Sequence, residues 1–296
     1  MNGGTTNLLA DVPEAERARL ASFEAAHPVR HVARGDRRVD YLSGGRGPHA
    51  ILILTAAHAT PRQVYDTALR LEREYRVVVI DVGEASSLDD LARDVDAVLD
   101  SERISRVVAF GQSVAGILAQ ANLMRRPARV EAMVLSQTVA PRRENNKLVA
   151  LWILRVLPQP LLRALLVRKL QRLTAVDLPP AGAARLAMSR ALLRDTVGTV
   201  LTKKRIMATL HLLFEFNREE DYGASAHGGW RGLVLLVTAE DDGGFRDVER
   251  VSAALPRTEV LVLPTGAGHL ATLVHDGVYF ARVEQFLRSV ADRGRK

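Results

Sequence analysis

Three residues that lie far apart in the chain, Ser113, Asp242 and His269, carry the side chains needed for acyl-transfer chemistry. A serine hydroxyl becomes a useful nucleophile only when a neighbouring base accepts its proton, and an imidazole base works best when a carboxylate orients it. The three can act together only if the elements that precede them end at the same place in the fold.

Ser113 lies in the stretch VVAFGQSVAG, at the point where an apolar run would pass from a buried strand into a helix. A nucleophile on such a tight turn is held above the sheet edge, and the turn accepts only small residues two positions before and after it. Gly111 and Ala115 meet that requirement, and Gly116 lets the helix pack closely. The amide of Val114 would point toward a developing oxyanion. The alternative is a glycine-rich turn with an incidental serine, because alanine replaces the second glycine of the usual pattern.

The candidate acids lie in the stretch LVLLVTAEDDGGF, just past another apolar run. Asp242 is favoured because it directly precedes a Gly-Gly turn. Glu240 and Asp241 are expected to be exposed loop charges. An acid at the end of this run would lie at the same edge of a parallel sheet as Ser113.

The candidate base, His269, follows the last apolar run in the small-residue loop of LVLPTGAGHLATL. A histidine in a GAGH loop after a strand is hard to explain by solvation alone, so His269 is preferred to His275, six residues further on. His58 follows an earlier strand and is a candidate substrate contact. Serine, acid and base would all leave the carboxyl ends of strands, where open α/β sheets place their sites.

Apolar runs alternate with helical patterns over most of the chain, and continuous apolar runs are typical of strands covered on both faces. The alternation predicts an α/β fold with a mostly parallel, doubly wound sheet. The predicted strands are 29–33, 38–43, 50–55, 75–81, 106–110, 130–136, 232–238 and 258–263, and the predicted helices are 13–27, 61–74, 88–101, 114–125, 246–254 and 278–290.

The alternation stops between the sixth and seventh strands. From Pro141 to Tyr222 the sequence shows helical periodicity without a strand pattern, and prolines divide it into several helices. This predicts a core of residues 1–140 and 223–296, with a helical cap of residues 141–222 inserted after the sixth strand.

Positive charge is concentrated in the predicted cap. Residues 141–216 hold 14 Lys and Arg against 4 Asp and Glu, an excess larger than the +7 of the whole chain. The stretch 147–173 is apolar, with arginines at helical spacing. It could roof an apolar pocket, contact an anionic lipid or an acidic carrier protein, or pack on the core with its arginines in solvent. Residues 201–205, LTKKR, are expected to form a solvated helix face.

Composition excludes several classes of site. The chain has no cysteine, which excludes disulfides, a thiol nucleophile and cysteine-ligated zinc. No secretory signal and no apolar stretch of membrane-spanning length is recognised, so a cytoplasmic location is expected. The basic charge is expected to be solvated surface, and no nucleic-acid partner is expected, because no nucleic-acid motif is present. No metal or organic cofactor is implied, and the sequence does not give the oligomeric state.

These features resemble the α/β-hydrolase superfamily over about residues 30–140 and 230–292. The resemblance covers the strand order, the serine turn, the acid loop and the histidine loop. It implies an α/β-hydrolase fold in which Ser113 is the nucleophile, Asp242 the acid and His269 the base.

One loop departs from that superfamily's pattern. A His-Gly pair usually follows the third strand, where this chain reads Thr55-Ala56 followed by Ala57 and His58. By position, the second oxyanion amide would be that of Ala57, and the missing glycine restricts the backbone there. Within the superfamily, RVEAMVLSQT followed by a Leu/Arg-rich cap is similar to maspardin and its bacterial relatives. Their substrates are poorly defined, and for some of them a binding role is thought possible.

The predicted function is a serine hydrolase for a small-molecule carboxylic ester or thioester with an apolar acyl part. The same three residues could cleave amides or carbon–carbon bonds next to a ketone, or support cofactor-free haloperoxidase-like chemistry. A haloalkane dehalogenase or epoxide hydrolase would need a carboxylate in place of Ser113. The alternative is a weakly active or non-catalytic binding protein on the same scaffold, which the TAAHA loop and the basic cap favour.

Overall fold

Eight strands form one sheet in a computed structural model of the chain, which describes residues 9–55, 59–142, 156–173, 180–219, 222, 229–255 and 257–293. The strands are β1 (Arg30–Arg34), β2 (Arg37–Gly44), β3 (Ala50–Thr55), β4 (Arg76–Asp81), β5 (Val107–Gln112), β6 (Val130–Ser136), β7 (Leu233–Ala239) and β8 (Thr258–Leu263). The α-helices are α1 (Glu14–Ala26), α2 (Tyr65–Leu71), α3 (Leu88–Ser101), α4 (Val114–Arg125), α5 (Gln159–Leu173), α6 (Pro180–Thr199), α7 (Lys203–Asn217), α8 (Val248–Ala254), α9 (Ala271–Val274) and α10 (Asp276–Arg293).

The sheet is parallel except at its amino-terminal edge. Its strand order is β1-β2-β4-β3-β5-β6-β7-β8, in which β2 pairs antiparallel with both β1 and β4 and the remaining neighbours are parallel. The carboxyl ends of β3 to β8 therefore lie along one edge, which we call the carboxyl edge. The predicted doubly wound α/β-hydrolase fold is confirmed.

The strands that carry the site are buried on both faces. All six residues of β3 are buried, and alternate side chains enter two different apolar clusters: Ile51 and Ile53 one, Leu52 and Leu54 the other. This is why the run reads as continuously apolar instead of alternating. Helices cover both faces, and α3 begins where the Ser87 side chain accepts a hydrogen bond from the Asp90 amide.

In the described residues between β6 and β7 there are three helices, α5 to α7, where the sequence predicts an inserted cap. Their apolar side chains form a cluster of their own that includes Leu162, Val197 and Ile206. The two ends of this segment meet, because the Arg142 amide donates to the Asn217 side-chain oxygen at 2.9 Å. The domain boundaries at 141 and 222 stay a prediction.

None of the helices in the described part of the chain is long and apolar enough to cross a membrane.

Candidate active site

Ser113 lies on a strained turn between β5 and α4. Its backbone has φ 56° and ψ −121°, a conformation that costs a non-glycine residue about 1–3 kcal/mol. Two hydrogen bonds hold it there: the Ser113 amide donates to the Ser136 carbonyl at 2.9 Å, and the Thr138 hydroxyl donates to the Ser113 carbonyl at 3.0 Å. The strain is therefore supported by the last residue of β6 and by Thr138, two residues beyond it.

The small residues around the turn are required by close backbone approach. A Cβ atom on Gly111 would lie 2.5 Å from the Ala115 carbonyl oxygen, and one on Gly116 would lie 2.7 Å from the Thr138 Cβ. Both distances are too short for any larger side chain. These distances agree with the expected small residue at position 111 and with the expected close packing at Gly116, whereas the requirement at Ala115 stays a prediction.

Asp242 and His269 are in direct contact. The His269 Nδ1 lies 2.7 Å from the Asp242 Oδ1, and the Gly244 amide donates to the other carboxylate oxygen at 2.9 Å. Burial raises the pKa of Asp242, but the hydrogen bonds from His269 and Gly244 outweigh it, so the net pKa lies below its ordinary value. An ionised carboxylate can only accept, so the proton is on Nδ1 and the Nε2 of a neutral ring is left as a base.

The serine turn is connected to the histidine loop through residues next to Ser113 and His269, not through these two side chains themselves. Among the described residues no hydrogen bond links the Ser113 hydroxyl to the His269 ring. Instead the Gln112 side chain, next to Ser113, donates to the Thr272 hydroxyl, three residues past His269, at 2.9 Å. Catalytic hydrogen bonds are often long before substrate binds, so this arrangement permits the contact without forming it.

Residues 136–138, which the sequence analysis does not assign to the site, link all three loops of the site. Besides the contacts of Ser136 and Thr138 with Ser113, the Gln137 side chain bonds to Gln112 and to the histidine loop. Its position after a strand at the same edge as Ser113 is the signal that could have identified it.

The two acids next to Asp242, Glu240 and Asp241, differ in their contacts. Glu240 and Asp241 are both exposed, as expected. The Asp241 carboxylate nevertheless accepts hydrogen bonds from the Gly266 amide at 2.7 Å and the Gly268 amide at 3.0 Å. It therefore shapes the loop that carries His269.

The remaining candidates fall into three groups. Ala57 and His58 lie outside the described residues. Val114 is the first residue of α4, so its amide has no acceptor within the helix, as an oxyanion donor requires. The Nε2 of His275 is buried without a partner in the described part of the chain. No group of three or more His, Asp or Glu side chains that could hold a metal occurs among the described residues.

The cap reaches the carboxyl edge through Arg205, which corrects the expectation that residues 201–205 form a solvated face. Arg205 is 7% exposed and pairs with Asp81 at the end of β4. It also donates to the Ala59 carbonyl at 3.2 Å, just past the oxyanion loop. Burial raises the pKa of Asp81, and the attraction of Arg205 offsets this only in part. Within this stretch Thr202 and Lys204 are exposed as expected, and Lys204 pairs with Glu84.

Other charges of the cap also turn toward the core. Asp195 of α6 pairs with Arg62 at 2.7 Å, and Arg185 pairs with Asp276 at 2.6 Å. Arg168 and Arg172 of α5 are exposed and form no ion pair with described residues. The contact of the basic cap with an anionic lipid or an acidic carrier stays a prediction.

Comparison with known proteins gives a family match over most of the chain. A model of the alpha/beta hydrolase family matches residues 52–283. Polyketide synthase ThaQ from Burkholderia thailandensis is 28% identical over 276 residues. That match covers 86% of this chain but only 12% of the relative, so the chain spans about an eighth of that protein's length.

Solved structures share the fold at low identity. Carboxylesterases of Nitrososphaera gargenis include a structure with a TM-score of 0.67 and 16% identity, covering 89% of this chain and 100% of that chain. Naproxen esterase (carboxylesterase NP) from Bacillus subtilis has a TM-score of 0.61 and 15% identity, covering 92% of this chain and 96% of that chain. At these identities the likeness concerns the fold alone.

Proposed function

The chain belongs to the alpha/beta hydrolase family, and from that premise we propose that it is a serine hydrolase for carboxylic esters or thioesters with an apolar acyl part. The observation that carries the proposal is the 2.7 Å contact between Asp242 and His269 at the edge where Ser113 sits on its strained turn. A buried carboxylate that orients an imidazole beside such a turn is the arrangement that activates a serine hydroxyl.

The reaction begins when the Ser113 hydroxyl attacks the acyl carbonyl and the His269 Nε2 accepts its proton. Asp242 holds the ring and balances the imidazolium charge, while the Val114 amide, with that of Ala57 by position, binds the oxyanion. His269 then gives the proton to the leaving oxygen or sulfur, and the acyl group stays on Ser113. Water, activated by His269, releases the acid and restores the serine.

An ester or thioester is preferred because the solved structures with this fold include carboxylesterases. The cap supports an apolar acyl part, because α5, one of the helices that share the apolar cluster, lies against residues 268–270 of the histidine loop. Arg142, Arg185, Lys204 and Arg205 of the cap pair with core acids, so their positive charge is already matched and is not available to an acyl group.

The test is labelling with a fluorophosphonate, followed by hydrolysis of a series of esters and thioesters of increasing acyl length. We expect stoichiometric labelling that Ser113→Ala abolishes, and turnover that depends on acyl length. Ser105→Ala, a change outside the site loops, serves as the matched control and should label like the parent.

The competing function is that of a binding protein with a weak or silent site, for which the unusual TAAHA loop is the specific observation. A folded protein that neither labels nor hydrolyses any member of the series would favour it. Labelling that persists in Ser113→Ala would show that another nucleophile reacts and would contradict the proposed role of Ser113.

A further inference from the structure

The Gln137 side chain makes hydrogen bonds to two loops of the site at once. Its oxygen accepts from the Gln112 amide at 2.8 Å and from the Thr272 hydroxyl at 3.2 Å. Its nitrogen donates to the Gly268 carbonyl at 2.7 Å. Gln112 directly precedes Ser113 and Gly268 directly precedes His269, so one side chain connects the neighbours of the nucleophile and of the base.

The backbone of Gln137 is fixed independently of that side chain. Its amide donates to the Val237 carbonyl of β7 at 2.8 Å, and its φ of 48° is in the left-handed region that glycine favours. The residue is only 2% exposed. A non-glycine residue keeps such a backbone conformation only when its surroundings hold it there. The fixed backbone of Gln137 places its side chain between the serine turn and the histidine loop.

The adjacent acid loop also packs on this segment. A Cβ atom on Gly244 would lie 2.5 Å from the Thr138 carbonyl oxygen, so the turn after Asp242 rests directly on the backbone that follows Gln137. The serine turn, the acid loop and the histidine loop therefore all contact residues 136–138. Within this segment, the Gln137 side chain connects the serine turn to the histidine loop.

We propose that Gln137 is a positioning residue that sets the distance between the His269 ring and the Ser113 hydroxyl through its bonds to Gly268 and Gln112. The inference rests on the proposed function. Gln137 bonds to neither the Ser113 hydroxyl nor the His269 ring. It acts on the proton transfer between them by holding Gln112, next to Ser113, and Gly268, next to His269. A misplacement of about 1 Å between reacting groups can cost about 100-fold in rate.

The first test replaces Gln137 with methionine, which keeps the length of the side chain and removes its hydrogen bonds. For hydrolysis of the best ester we expect kcat to fall about 10- to 100-fold while KM stays nearly constant. The matched control is Gln120→Met, a buried glutamine of α4 whose amide donates to the Gly116 and Val139 carbonyls and not to the histidine loop. Equal kcat values for the two variants would overturn the proposal.

The second test uses Gln137→Glu, which separates positioning from mere packing. Its carboxylate still accepts from Gln112 but faces the Gly268 carbonyl with a second acceptor, whereas the protonated acid regains a donor there. Burial raises the pKa of such a carboxyl. We expect the ratio of variant to parent kcat to rise as pH falls, and a ratio that does not change with pH would contradict the proposal.

A third measurement covers the case in which Gln137→Met fails to fold. Gln112 is exposed, so Gln112→Met should keep its melting temperature and still lose kcat. Where both single variants fold, the double variant should lose little more than either one, because both break the same link. Full additivity, or a parental kcat for Gln112→Met, would oppose the inferred role.

Hydrogen exchange distinguishes failure of the inference from failure of the proposed function. If the parent protein neither labels nor hydrolyses esters, the proposed function fails, but the exchange of amides in residues 264–272 still reports whether Gln137 holds the loop. We expect faster exchange there in Gln137→Met than in Gln120→Met. Equal exchange would overturn the positioning role whatever the activity.

Discussion

Two sets of contacts meet at the carboxyl edge of the sheet and are built from different interactions. Around residues 136–138 the serine turn and the histidine loop are joined by hydrogen bonds between neutral groups, many of them to the backbone. The cap is joined to the core by ion pairs, which include Arg205 with Asp81 and Arg185 with Asp276, and by apolar side chains such as Met188 and Phe216 that are buried in the core clusters.

The two sets of contacts, the hydrogen bonds around residues 136–138 and the ion pairs of the cap, differ in how strongly they fix distances. Hydrogen bonds to backbone groups are short and directional, and salt does not screen them, so they suit a site that depends on fixed distances. Ion pairs that are partly open to solvent are weaker and are screened by salt. We infer that the geometry of the site is less sensitive to salt than the attachment of the cap, except at the buried Arg205–Asp81 pair.

The largest expected effect concerns the site. Asp242→Asn keeps the shape of the side chain but removes the acceptor that fixes the proton on the His269 Nδ1. We expect kcat for ester hydrolysis to fall by about 10⁴-fold, with a small change in the free energy of unfolding. Glu240→Gln, two residues away and without contacts to the histidine loop, should retain the parental kcat. A loss of less than tenfold in Asp242→Asn would mean that another acid orients His269.

The buried ion pair of the cap should give the next effect. Arg205→Met leaves the Asp81 carboxylate buried without its partner, and we expect a loss of about 3 kcal/mol in the free energy of unfolding at pH 7. Lys204→Met, which breaks an exposed pair, should cost well under 1 kcal/mol. Urea titration of both variants measures the difference. Equal costs would show that the Arg205–Asp81 pair does not anchor the cap.

The same variant should also depend on pH. Because the pKa of Asp81 is raised in the folded protein, its protonated form is favoured by folding, and that contribution to stability is lost as pH rises through the folded pKa. Removal of Arg205 raises the pKa further, so the deficit of Arg205→Met should shrink as pH falls. A deficit that grows toward low pH would contradict this assignment.

Packing under the serine turn should give a smaller effect. In Gly111→Ala the new methyl group meets the Ala115 backbone, and we expect a cost of about 2 kcal/mol in the free energy of unfolding. Gly198→Ala, in α6, meets no atom within 4 Å and should stabilise the protein by about 0.5–1 kcal/mol. Thermal melting measures both effects. A lower melting temperature for Gly111→Ala and a higher one for Gly198→Ala would show that the serine turn is tightly packed and that α6 has free space at Gly198.

The smallest expected effect lies at the rim of the cap. Asp276→Asn removes the negative charge with which Arg185 and Arg70 both pair. We expect a cost of about 1 kcal/mol in the free energy of unfolding at low ionic strength. The cost should disappear in 1 M salt, because the Debye screening length falls from about 10 Å at 0.1 M to about 3 Å. A cost that is the same at both ionic strengths would remove the distinction between the two sets of contacts.

The elements of the core could be predicted from the sequence because their periodicity is local. Helix α3 and strand β6 begin and end at the predicted residues, since an apolar run or a Ser87 cap marks each boundary. Asp242 was predicted from a turn signal, and its contact with His269 agrees with that choice. These features depend on interactions between residues that are close in the chain, so a local pattern in the sequence is enough to predict them.

The contacts between distant elements could not be predicted in the same way. Gln137 is a polar residue after a strand, and nothing in its neighbours indicates that its side chain would reach the loops of Ser113 and His269. Arg205 was taken for a solvated charge, because its partner Asp81 belongs to another strand. In both cases the partner is chosen by the packing of the whole fold, which no local pattern encodes.

The contact between the Arg142 amide and the Asn217 side chain means that the segment carrying α5 to α7 leaves and re-enters the core at one point. Thr138, the last residue to support the serine turn, lies before that point. An insertion with adjoining ends can be exchanged for another with little disturbance to its host. In this protein the helices of the insertion and the sheet edge beneath them can therefore change separately, as a replaceable segment on a constant frame.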